Sequence, residues 1–150
     1  MDPREELRRH LRPAAMVGAA IFASLFLYLA AVEVVRSVLR PFRGFAAGGP
    51  LQPFRLAAFG AAAAVILMIL LLRPRLLGRR GTEDVPSALG RLQKSSIVIL
   101  VLGEIPAIAG LGLFLAGGNA GDFYKLLFAS LVLTFIDFPR RAAWEEWLKG

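Results

Sequence analysis

The residue whose type and setting most invite chemistry is Glu104, in the run GEIPAIAGLGLFLAGG, where a carboxylate stands in the middle of a long apolar stretch. An acid at that depth of a bilayer costs about 2.5–3.5 kcal/mol, so its retention calls for a partner, a water-filled path or a bound proton. Uptake of a proton is the simplest remedy, because the neutral acid escapes the desolvation cost of the charged form. A group that loads a proton and gives it up again can carry an ion. Pro106 removes one backbone donor and frees the Leu102 carbonyl one turn back, so Glu104 and Leu102 together form the candidate ion-binding pair. Around them, Gly103, Ala107, Gly110 and Gly117 lay a small-residue stripe along the helix, and Ala109, Gly112 and Ala116 lay a second. Both stripes permit close approach by a neighbouring helix, including one from another copy of the chain. The plainer reading makes Glu104 a protonated, hydrogen-bonded contact between helices and Pro106 an ordinary membrane kink.

The other polar residues offer less. Glu33 and Arg36, three apart, read as an intrahelical pair at a span end, and Asp137 stands near Arg140 and Arg141 by the same logic. His10 is alone in a charged segment and, without a second ligand, defines no metal site. Ser95 and Ser96 are placed to cap the start of an apolar helix, and no base accompanies either. The chain has no cysteine, which excludes disulfides and thiolate chemistry. There is no nucleophile–base pair, no phosphate-cradling glycine loop and no HExxH-like spacing, so no catalytic residue, metal or cofactor is expected.

Positioning a mid-membrane acid requires spans. Of the 150 residues 57% are hydrophobic, above the roughly 45–50% of soluble domains, and mean hydropathy is +0.62. The apolar residues gather into runs while the 18 Lys and Arg lie between and outside them, the segregation a bilayer demands. The net charge of +7 therefore reads as topology signal and lipid-headgroup contact, with no nucleic-acid partner. The fold class is all-α: one polytopic membrane domain over 1–150 with four transmembrane helices, at about 13–35, 54–72, 95–116 and 123–138. The fourth is the least apolar, with Lys125 snorkelling at one end and Asp137 at the other. The N-terminal run is too long for a signal peptide and stays as the first span. After Pro139, Trp144 and Trp147 share one face of a short amphipathic segment that could lie flat at the membrane interface.

Orientation follows from the basic residues. The N-terminal segment, the loop 73–94 and the C-terminal tail are all Arg- or Lys-bearing and fall on one side, while the turn GGNAGD carries no basic residue. The positive-inside rule makes that side the cytoplasm, with both termini inside; Arg36, Arg40, Arg43 and Arg55 then face outward against the rule. The Arg- and Ala-rich composition points to a bacterial inner membrane.

An alanine- and glycine-rich helix, a polar cytoplasmic turn and a helix with a mid-membrane acid follow one another over about residues 54–118. That hairpin resembles the c subunit of rotary ATP synthases, and the order Glu104, Ala107, Gly110, Leu111 is similar to the ion-binding helix of that family. The resemblance implies that Glu104 is the ion-carrying carboxylate of a proton- or cation-translocating oligomer. Two flanking spans fall outside it, and the compact Arg-Gln-Pro turn and repeated glycines of the family are lacking here. Three roles stay open: an ion-binding subunit centred on Glu104, a non-catalytic accessory or assembly subunit of a larger membrane complex, and a small proton-coupled exporter, which lacks the expected aromatic cage.

Overall fold

A computed structural model describes residues 3–46, 50–77 and 84–149. They form five helices: α1 (Pro3–Val38), α2 (Leu51–Leu77), α3 (Val85–Gly117), α4 (Ala120–Ile136) and α5 (Arg141–Lys149), with no strand among the described residues. Local chemistry sets several ends. Glu5 and Glu6 lie in the first turn of α1 and Arg36 in its last, each matching the helix dipole. Asp84, in extended conformation, precedes α3, and Gly118 in the left-handed region stops it. The Asn119 side chain accepts the Gly121 N–H at 3.0 Å and opens α4.

α3 is the central helix and packs against α1, α2 and α4. Its pairings fix the directions. His10 meets Gln93 and Ser24 meets Glu104, so α1 runs parallel to α3. Ala107 meets Ser130 while Gly110 lies against Leu126 and Phe123, so α4 runs antiparallel to α3. Arg91 donates to the Leu76 carbonyl and Gly117 lies against Leu51, so α2 is also antiparallel. The result is an up-down-up-down bundle with the start of α1, the end of α2, the start of α3 and α5 at one pole.

Three helices, α1 to α3, are long and apolar enough to cross a membrane, as expected of a multi-pass membrane protein. The outward faces agree: Phe26, Leu27, Phe54, Leu70, Ile108 and Phe135 are exposed, and only 11% of the most apolar stretch of α2 is buried. α4 has 17 residues, about 25 Å at 1.5 Å per residue, short of the roughly 30 Å core. The main core joins Ile21, Leu25 and Val32 of α1 to Leu100 and Phe114 of α3 and Phe123 of α4.

The helices outrun the apolar runs. Residues 73–77 still belong to α2 and 85–94 to α3, so Ser95 and Ser96 are buried inside a helix instead of capping one. Trp144 corrects the expectation of a segment lying flat on the membrane. It is 5% exposed and packs with Leu7, Ala14, Leu89 and Leu92, so α5 docks on the end of the bundle. The side chain of Trp147, together with Arg79 and Arg80, lies outside the described residues.

At the opposite pole the chain after α1 turns back onto the end of α3. The Phe45 and Ala46 N–H groups donate to the Leu115 and Ala116 carbonyls at 2.8 and 3.0 Å, satisfying acceptors that the helix end leaves open. Gly44 (φ +85°) and Gly118 (φ +71°) permit this backbone-on-backbone contact.

Candidate functional site

Glu104 projects from α3 toward α1, where Ser24 and Tyr28 stand one turn apart on the same face. The Ser24 hydroxyl donates to Glu104 Oε1 at 2.5 Å and the Tyr28 hydroxyl donates to the same oxygen at 2.8 Å. All three side chains are half-buried, and among the described residues no hydrogen bond reaches Oε2. The Ser24 hydroxyl also lies 2.8 Å from the Ile21 carbonyl. A hydroxyl carries one proton and rotates to suit its surroundings. Toward a carboxylate, Ser24 donates to Glu104. Toward a protonated acid, it can donate to Ile21 and accept from Glu104. Tyr28 donates to the same oxygen, so Oε1 keeps hydrogen-bond partners in either form without movement of a helix.

Leu102 is half-buried two residues away, and Pro106 is buried. No hydrogen bond joins Leu102 to Glu104 among the described residues; the carboxyl is held from α1. Beyond the proline, the Ala107 N–H donates to Ser130 Oγ of α4 at 2.9 Å, inside the bundle. One turn on, the fully buried Thr134 hydroxyl has no hydrogen-bond partner among the described residues. Removing the Ser130 acceptor strands a buried amide, so Ser130→Ala is expected to destabilise the bundle by about 0.6–2 kcal/mol. Reversible unfolding in mixed micelles measures this, and an unchanged midpoint would show that the amide finds another acceptor.

The small-residue stripe is used within the chain. Gly103, Ala107 and Gly110 face α4, where a Cβ on Gly110 would stand 3.0 Å from that of Leu126, and Gly117 faces Leu51 of α2. In the second stripe Gly112 has open space around it.

The remaining polar residues find partners the sequence does not suggest. Glu33 pairs with Arg36 at 3.2 Å as expected, and Tyr124 of α4 joins them, donating to Glu33 while its oxygen accepts from Arg36 at 2.6 Å. Asp137 pairs with Arg73 of α2 at 3.1 Å, not with Arg140 or Arg141. His10 is not simply solvated, since Nδ1 lies 2.8 Å from Gln93 Oε1. Arg55 makes a two-pronged contact with the buried Asp122, at 2.7 and 2.9 Å. Among the described residues no three His, Asp or Glu gather as a metal site would require.

The sequence by itself does not single out Ser24 and Tyr28, two polar residues in the apolar run of α1. Their signal was the four-residue spacing of two hydroxyls on one apolar helix, the counterpart of a lone acid on another. Compared with protein-family models, with curated proteins and with solved structures, the chain matches none.

Proposed function

We infer that this chain is a proton- or cation-binding subunit of a membrane assembly, with the Glu104 carboxyl as the group that loads and releases the ion. The observation that carries this reading is the convergence of Ser24 and Tyr28 on one Glu104 oxygen, with the Ile21 carbonyl as the second acceptor for Ser24. A purely structural acid needs one satisfied state, whereas this one has hydrogen bonds available in two. The Leu102 carbonyl, which Pro106 leaves without its helical donor, is a further acceptor that α3 can offer a cation.

The reading includes four spans, α4 crossing as the fourth because it runs antiparallel beside α3 for the depth of the bundle. It places both termini in the cytoplasm of a bacterial inner membrane, since the N-terminal segment, the 73–94 connection and the C-terminal tail together hold most of the Lys and Arg. It also includes a distant relation of residues 54–118 to the rotor c subunit, adapted so that the donors to the acid come from α1, outside the hairpin. Partners are the lipid bilayer and other copies or subunits, with no nucleic acid; Gly112 on the outer face of α3 leaves room for such a helix.

The accessory-subunit reading is favoured by a different feature: the same hydrogen bonds stitch α1 to α3. Carbodiimide modification of the protein in lipid nanodiscs separates the two. The ion-binding reading predicts modification confined to Glu104, absent in Glu104→Gln, and weakening as pH rises or as sodium is added. Gln retains an acceptor oxygen for Ser24 and Tyr28, so the variant should fold. An inert Glu104 at every pH would favour the structural role.

A further inference from the structure

The pole opposite the chain termini carries Arg36, Arg40, Arg43 and Arg55, which by charge bias alone belong on the other side. Two of them are accounted for by carboxylates, Arg36 by Glu33 and Arg55 by Asp122. Arg40 and Arg43 make no ion pair among the described residues.

Arg40 lines an open pocket of about 450 Å³ together with Glu33, Arg36, Ser37, Phe42 and Gly118. Its volume falls in the range of small-ligand sites. Glu33 is neutralised by Arg36 and bonded by Tyr124, which leaves the guanidinium of Arg40 and the unused N–H groups of Arg36 as the pocket's uncompensated charge and donors. The dipole of α1 explains a cation in its last turn, where Arg36 stands, but Arg40 lies beyond the helix end. The pocket stands where α1, a helix long and apolar enough to cross a membrane, comes to its end, which is the level of lipid phosphates.

We propose that this pocket binds the phosphate of an anionic phospholipid headgroup, with Arg40 and Arg36 as its donors. A guanidinium fork matches phosphate oxygens two at a time. The two donors stand about one helical turn apart in sequence, and their place at the end of a membrane-length helix favours a lipid phosphate over a free ion. The site is independent of the role of Glu104.

Native mass spectrometry of the full chain, released from micelles containing equal phosphatidylglycerol and phosphatidylcholine, reads this directly. The wild type should retain phosphatidylglycerol preferentially. Arg40→Gln should cut that preference about tenfold, the value of one charge-assisted contact. Arg40 is exposed and holds no other described side chain, so the substitution leaves the fold intact; Arg43→Gln, outside the pocket, controls for charge loss and should change little. Equal retention of both lipids, or an Arg40→Gln variant that behaves as wild type, overturns the proposal. So does displacement of the lipid by inorganic phosphate with equal protection against unfolding, which would make this a soluble-anion site.

Discussion

Gly44→Ala is expected to cost roughly 3 kcal/mol or more, because two penalties combine: a left-handed backbone for a residue with a Cβ, and loss of the hydrogen bonds that follow it. A Cβ at Gly44 would stand 2.1 Å from the Ala116 carbonyl oxygen and 2.6 Å from the Gly117 nitrogen, both backbone atoms of the end of α3. The turn must therefore lift away, and the Phe45 and Ala46 amides lose Leu115 and Ala116. Two helix-end carbonyls are then left open. Gly118→Ala should act the same way, since its Cβ would meet the Phe42 carbonyl oxygen at 2.6 Å. Gly60→Ala is the control. Nothing lies within 4 Å of a Cβ there, and alanine should gain about 1 kcal/mol of helix propensity. Unfolding midpoints of the three variants, with amide exchange at Phe45 and Ala46, check the order; equal midpoints would mean that the turn does not cap α3.

Arg55→Ala is expected to cost about 2 kcal/mol. The Asp122 side chain is only 5% exposed, and without the guanidinium its carboxylate keeps, among the described residues, just the Asn119 amide, at 3.4 Å. Breaking a fully buried pair costs about 3–5 kcal/mol; the smaller figure reflects the 45% exposure of Arg55, which water already screens. The pair ties the start of α2 to the start of α4, and Arg73 with Asp137 ties their other ends. α2 packs chiefly on α3 and leaves most of its surface outward, so these two ties are its described polar links to α4. In a double-mutant cycle, adding Asp122→Asn to Arg55→Ala should recover much of the loss. Additive losses would show that the pair contributes no coupling.

The two ion pairs also show where reading the sequence stops. Proximity along the chain pairs Asp137 with Arg140 and Arg141, but the bundle brings Arg73 to it from α2, and only the helix directions reveal that. Hydropathy marks the depth buried in lipid and not the end of a helix, which is why α3 begins at Val85, ten residues before its apolar run. The Trp144 face was legible as apolar. Whether it meets lipid or protein depends on Leu7 of α1 and on Leu89 and Leu92 of α3, all far from it along the chain. The glycine and alanine stripe of α3 signals close helix neighbours without naming them; in the fold Gly103, Ala107 and Gly110 lie against α4 and Gly117 against Leu51 of α2. Glu104 itself stands out in the sequence because a lone acid in an apolar run is costly. Its hydroxyl partners do not, because Ser and Tyr are cheap enough in a span to carry no message until α1 and α3 are known to be parallel neighbours.

The central claim is that Glu104 takes up and releases a proton within the bundle, and infrared difference spectroscopy of the protein in lipid bilayers tests it most directly. Stepping from alkaline to acidic buffer, the account predicts a carbonyl-stretch band of a protonated carboxyl that appears in the wild type, reverses on return to alkaline buffer and is missing in Glu104→Gln. The same spectrum in the wild type and in Glu104→Gln, with no band assignable to this side chain, would contradict it and leave Glu104 as a fixed contact between α1 and α3.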